Sequence, residues 1–143
     1  MAYFHSLPPF SLLLVEDDIT ARKIISRMVA LKFPQCTMFT AEHGEEGVKL
    51  FMEHAPDLVV TDINMPIMDG IEMVRKIKAM NPNATYIIIS ARERVDQFEE
   101  IGYCAFLRKP LDFNELLYAI QNCHPELRQK GKKNNSLRQM FPV

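Results

Sequence analysis

Residues 58–70 read LVVTDINMPIMDG. The first four, Leu58–Thr61, form a short, continuously apolar run, the pattern of a strand covered on both faces. Asp62 follows at once, and Asn64 lies two residues further on. Asp69-Gly70 reads as a turn that opens a helix. Gly70–Met80 then carries Ile71, Val74 and Ile77 at helical spacing. Asn81-Pro82-Asn83 breaks the chain. One stretch therefore spells strand, charged loop and helix in that order.

The same unit repeats outward in both directions. Towards the N-terminus, Ser11–Val15 (SLLLV) reads as a strand and Ile19–Lys32 as an amphipathic helix. Cys36–Phe39 is a second strand and Gly44–His54 a second helix with Val48, Leu50 and Phe51 on its apolar side. Towards the C-terminus, Thr85–Ile89 (TYIII) is a strand and Arg92–Ile101 a short, highly charged helix. Tyr103–Leu107 is a fifth strand, and Phe113–Asn122 a last helix with Asp112 placed to cap it. Five such units predict an α/β fold, a doubly wound (βα)5 arrangement with a five-stranded parallel sheet and helices on both faces.

Length and charge bound the rest. A chain of 143 residues fits one domain and a short extra segment, and 48% apolar residues supply a core. We expect an N-terminal leader over 1–10, extended by Pro8 and Pro9, a globular domain over 11–124, and a basic tail or linker over 125–143. Residues 1–124 carry 12 Lys and Arg against 17 Asp and Glu, whereas residues 125–143 carry 5 against 1. A mildly acidic body gives no electrostatic reason to bind nucleic acid, and the basic run reads as a solvated extension. No apolar run approaches the length of a membrane span, and Met1–Phe10 lacks the features of a secretory signal. Cys36, Cys104 and Cys123 are odd in number, widely spaced and without a CxxC pair, which predicts reduced thiols and a cytoplasmic address. The four histidines show no ligand spacing with them, which argues against zinc.

In open parallel sheets, ligands collect beyond the carboxyl ends of the strands. The residues that follow the apolar runs here are Glu16-Asp17-Asp18, Asp62, Ser90 and Arg108-Lys109-Pro110. If the first and third strands are neighbours, Glu16, Asp17 and Asp62 bring three negative charges together. At ~4 Å and an effective dielectric constant of ~20, each close like-charge pair costs on the order of 4 kcal/mol. Lys109 compensates one charge, and a divalent cation would compensate the other two. Magnesium suits all-oxygen ligands and pairs with phosphate. Such a site stabilises the charge on a phosphoryl group in transfer, and a carboxylate can accept that group as an aspartyl phosphate.

Four segments together carry a family resemblance: LLLVEDD (12–18), LVVTDINMPIMDG (58–70), IIISA (87–91) and FLRKP (106–110). Over about residues 11–122 the chain resembles the response-regulator receiver domain of two-component signalling, the CheY-like superfamily. The resemblance implies a flavodoxin-like sheet with strand order 2-1-3-4-5, the order known for CheY itself. It implies that Asp62 is the phosphoacceptor, that Asp17 binds magnesium directly with Glu16 acting through water, and that the Asn64 carbonyl is a further metal ligand. Ser90 then corresponds to the hydroxyl that meets the phosphoryl group and moves inward on activation. Lys109 corresponds to the lysine that binds a phosphoryl oxygen, Phe106 to an aromatic rotamer switch, and Lys109-Pro110 to a cis X-Pro turn.

The implied function is that of a phosphorelay switch. It takes a phosphoryl group from a sensor histidine kinase or phosphotransfer protein. It responds on the surface built from the fourth strand, the fourth helix over Arg92–Ile101, the fifth strand and the last helix. Only 12 positions separate Ser90 from Gly102, so that fourth helix is expected to lose roughly one turn relative to many relatives. Arg92 and Asn64 occupy the pair of positions that tune how long the phosphoryl group survives.

Asp18 reads as a helix cap, Asp57 lies at the wrong end of its strand for chemistry, and Met65 and Met68 read as packing. Phe106 taken alone reads as core. A magnesium-dependent phosphohydrolase using Asp62-Ile63-Asn64 is the alternative function. Such enzymes place the acidic motif after the first strand and add a capping insertion, and this chain does neither. A separate turnover reaction is therefore not expected. No DNA-binding, cyclase or kinase sequence follows residue 122, so the sequence leaves open a single-domain regulator or a receiver with an output or kinase domain fused to it.

Overall fold

The computed structural model describes residues 8–91 and 100–124. Five parallel strands, β1 (Phe10–Val15), β2 (Cys36–Ala41), β3 (Leu58–Asp62), β4 (Thr85–Ser90) and β5 (Ala105–Arg108), form one sheet in the order β2-β1-β3-β4-β5. The helices with both ends among the described residues are α1 (Ile19–Lys32), α2 (Gly44–His54), α3 (Gly70–Met80) and α4 (Phe113–Cys123). Most of the charged helix expected over Arg92–Ile101, Arg92 included, lies outside the described residues.

Side chains alternate across a strand, so a strand between two helical layers needs apolar residues at every position. Leu12, Leu14, Val60, Ile87, Ile89 and Leu107 pack on one face with Ile25 and Val29 of α1 and Leu116 and Ile120 of α4. Leu13, Val15, Val59, Ile88 and Phe106 pack on the other with Phe51 of α2 and Met73, Val74 and Ile77 of α3. Each fully buried side chain of this size contributes about 1.5–3 kcal/mol. Asp18, Asp69 and Asp112 cap α1, α3 and α4 by accepting backbone N–H groups of the first turn.

Every strand differs from the sequence reading: β1 starts one residue earlier at Phe10, β3, β4 and β5 each run one residue further, to Asp62, Ser90 and Arg108, and the largest differences are at the end of β2 and the start of β5. β2 runs on to Ala41 because it pairs with β1 along its whole length, Val15 lying opposite Ala41. β5 starts at Ala105, two residues late, because Gly102 turns the chain with a φ of 64° just before it. Register places Leu12 beside Leu58 and Val15 beside Thr61, so β1 and β3 release their following residues side by side. The order of the chain reverses between these two strands, which is where a ligand site is expected.

The cysteines overturn the expectation of three reduced thiols. Cys104, just before β5, and Cys123, in the last turn of α4, form a disulfide with Cα atoms 6.2 Å apart. Spacing along the chain hid the pair, because α4 folds back over β5 and returns residue 123 to the start of that strand. Cys36 is the free cysteine among the described residues. No helix of the described residues is long and apolar enough to cross a membrane.

Candidate phosphoacceptor and metal site

The site is built from the ends of β1, β3, β4 and β5. Glu16 follows β1 and is 3% exposed, Asp62 ends β3 and is 6% exposed, and Asp17 stands exposed beside them. One carboxylate oxygen from each of Glu16, Asp17 and Asp62 lies within 4.8 Å of the others. Lys109, just past β5, reaches across to them. Its Nζ is 2.6 Å from Asp62 Oδ2 and 3.5 Å from Glu16 Oε1. The other Asp62 oxygen, Oδ1, accepts the Ile63 backbone N–H at 2.6 Å. These charge-assisted bonds fix the Asp62 carboxylate with one oxygen towards the lysine.

Electrostatics follows from that crowding. Burial raises the Glu16 carboxyl above the ordinary carboxylate range; the Asp18 N–H opposes the rise, the Asp62 charge adds to it and Lys109 opposes it. Burial by itself lowers Lys109, but the hydrogen bond and charge of Asp62, with those of Glu16, outweigh it and hold the ammonium above its ordinary value. Three carboxylates against one ammonium leave a negative surplus. All the donors are oxygens, two of them nearly buried, and this is the donor set that a hard divalent cation takes.

Ser90 is fully buried at the end of β4, and its carbonyl accepts the Lys109 N–H at 2.9 Å. Phe106 lies opposite Ile88 in the β4–β5 register, is 2% exposed, and packs against Tyr103 with ring centroids 5.6 Å apart. Ser90 is two residues beyond Ile88, so it shares the sheet face on which Phe106 packs. Asn64 is exposed in the loop just beyond Asp62. The Lys109-Pro110 bond is cis.

Two contributors escaped the sequence reading. Arg22, one turn into α1, donates from Nη1 to the Glu16 carbonyl at 2.8 Å and so pins the backbone that carries Glu16 and Asp17. An arginine on the first turn after an acidic loop is the signal that could have found it. Gly70 does more than turn the chain, because a Cβ there would fall on the Asp62 carbonyl oxygen. Its N–H donates to the Ile63 carbonyl at 2.9 Å, closing the loop after Asp62 onto the end of β3.

Comparison with known proteins agrees with this geometry. Residues 12–121 match the family Response regulator receiver domain. A protein named Probable chemotaxis protein CheY, from Rhizobium etli, is 35% identical over 116 residues, covering 76% of this chain and 88% of its own. A chain of the CheX-CheY-BeF3-Mg+2 complex from Borrelia burgdorferi superposes with a TM-score of 0.74 at 31% identity, over 80% of this chain and 89% of that one. The protein named Probable C4-dicarboxylate response regulator DctR, from Bacillus subtilis, is 29% identical over 91% of this chain, which spans 58% of its length. The DNA-binding transcriptional regulator NtrC of Proteus hauseri is 30% identical, and the chain spans 26% of it. The fold, the clustered carboxylates and these relatives lead to one assignment: the chain belongs to the response-regulator receiver domains, the phosphoaccepting modules of two-component signalling.

Proposed function

We propose that Asp62 is the phosphoacceptor, and that the chain acts as a switch rather than as an enzyme with separate turnover. The observation that carries this reading is the 2.6 Å contact between Asp62 Oδ2 and Lys109 Nζ inside a cluster that Glu16 and Asp17 complete. In the reaction an Asp62 oxygen attacks phosphorus while the bond from phosphorus to the donor nitrogen breaks. Lys109 then turns its ammonium from the carboxylate to a phosphoryl oxygen. Magnesium would be held by Asp17, Asp62 and the Asn64 carbonyl, with Glu16 acting through water, and would neutralise charge on the phosphoryl oxygens. The donor is a sensor histidine kinase or phosphotransfer protein in the cytoplasm. The receiver unit is residues 11–124, with 1–10 a leader and 125–143 a tail or a linker to an output domain.

Ser90 and Phe106 carry the response. A new dianionic group draws the Ser90 hydroxyl towards it, and the space Ser90 leaves is on the face where Phe106 packs. A few kcal/mol of differential interaction is enough to shift such an equilibrium.

Labelling with acetyl phosphate and magnesium, followed by peptide mapping, tests the acceptor: the adduct is expected on Asp62 alone. An adduct on another residue overturns the assignment. For the response, Ser90→Ala is expected to accept phosphate while the NMR shifts of residues 103–107 on adding beryllium fluoride shrink. Equal shifts in wild type and variant would show that the signal leaves by another route.

A further inference from the structure

Among the described residues the sheet has two open edges, and they are unlike. β5 is four residues long and ends in the exposed Arg108, so that edge is short and charged. β2 forms the other edge with six residues, CTMFTA, and carries no charge and no proline. It pairs with β1 in unbroken register, so no bulge turns it away. Proteins blunt open edges with charge, proline, bulges or shortness, because an open edge pairs with other extended chains. β2 has none of these guards.

The ladder shows which backbone groups are on offer. The Phe10 N–H donates to the Gln35 carbonyl and the Glu16 N–H to the Ala41 carbonyl, so the odd-numbered residues of this segment face β1. Met38 and Thr40 therefore turn their N–H and C=O groups outward, and these have no backbone partner among the described residues. The same two residues line a groove of about 800 Å³ whose wall is α1. Lys23, Ser26, Arg27 and Ala30, three or four residues apart, form one stripe on that wall. Lys23 and Arg27 are exposed, and neither makes an ion pair among the described residues. Ser26 and Ala30 are small and leave the groove open. Arg22 is already engaged by the Glu16 carbonyl and by Glu42.

An extended peptide answers both features at once. Laid along β2, it pairs its main chain with Met38 and Thr40. Its alternate side chains then point towards α1 with a repeat of about 6.6 Å. Lys23 and Arg27 stand four residues apart on α1, about 6 Å along its axis. Two carboxylates separated by one residue match that spacing. We propose that β2 is a docking edge for an extended acidic segment of a partner protein, which adds a strand to the sheet and sets alternate carboxylates on Lys23 and Arg27. The chain's own tail is not the occupant, since residues 125–143 carry 5 Lys and Arg against 1 Asp or Glu. Nor is a second copy, because pairing β2 with β2 would set two Lys23–Arg27 rows together on one face of the joined sheet. β2 and β5 are opposite edges, so the docked segment lies across the sheet from Phe106, and the inference does not depend on Asp62.

The probe is a fluorescein-labelled peptide of about eight residues, the length of a strand, alternating Glu with Thr. Fluorescence anisotropy on the full chain is expected to show saturable binding, with NMR amide shifts at Met38 and Thr40. The same peptide with Lys for each Glu, or N-methylated on the backbone nitrogens that face β2, is expected to bind at least about tenfold more weakly at low salt. Lys23→Glu combined with Arg27→Glu is expected to weaken the acidic peptide by about tenfold and to strengthen the lysine peptide, a gain that misfolding cannot produce. Absence of saturation at millimolar peptide overturns the inference, as do amide shifts outside β2 and α1 or equal affinity for the N-methylated peptide. A wild-type dimer in sedimentation that the acidic peptide cannot dissociate assigns the edge to a second copy and overturns it too.

Discussion

β3 has an aspartate at each end, and the two lead different lives. Asp57 precedes the strand at its amino end. It is exposed, and its Oδ2 accepts the Ser11 N–H at 2.8 Å and the Ser11 hydroxyl at 3.3 Å. In return the Asp57 N–H donates to the Ser11 carbonyl at 3.0 Å. Asp62 ends the strand, nearly buried, and faces an ammonium and two further carboxylates. Neutral donors satisfy Asp57 and leave it a clamp that sets the β1–β3 register. Asp62 is instead balanced by the Lys109 ammonium against the repulsion of two neighbouring carboxylates. The chemistry of a carboxylate here is decided by its neighbours, since residue type and strand are shared.

The largest test of that contrast exchanges the two side chains separately. Asp62→Asn is expected to abolish labelling by acetyl phosphate, whereas Asp57→Asn is expected to label at the wild-type rate. Mass spectrometry reads both, and a labelled Asp62→Asn would dissolve the distinction.

Metal gives the next largest effect. Magnesium at ten times its dissociation constant is expected to add about 1.4 kcal/mol by mass action, a rise of about 4 °C in melting temperature. Asp17→Asn is expected to remove most of that rise while melting higher than wild type without metal, because one repelling charge is gone. Asp57→Asn is expected to keep the full magnesium effect. A melting temperature that ignores millimolar magnesium in the wild type would break the site half of the comparison.

At the amino end the cost is structural. Asp57→Ala removes the acceptor for two Ser11 donors and is expected to lose about 1 kcal/mol, read by urea denaturation, with acetyl phosphate labelling unchanged. The smallest effect lies beside it. Burial, then the Asp57 charge, pushes the Cys36 thiol from its ordinary value of 9.0 up to about 12. The folded state therefore holds that proton where the unfolded state has lost it, so stability falls as pH rises between about 9 and 12. Cys36→Ala is expected to flatten the stability curve over that window, and an unchanged slope would count against a raised thiol.

Both aspartates were visible in the sequence, and so was their difference in rank, because the end of a strand follows from the direction of the chain. The three helices α1, α2 and α3 were readable to the residue, since apolar spacing marks each of them locally and Asp18 and Asp69 stand at the starts of α1 and α3. Other features depend on what folds against what. Ala41 joins β2 only because β1 lies alongside, and Arg22 serves the site only because α1 starts where Glu16 ends.

The Cys104–Cys123 bond makes residues 104–123 a closed covalent ring that contains Phe106, Lys109 and all of α4. Tension on the chain beyond His124 would reach Cys104 through sulfur and pass directly into the foot of β5. In the oxidised protein α4 carries none of that load and cannot be peeled from the sheet from its C-terminal end. A cut within the ring would leave both halves attached until a reductant separates them.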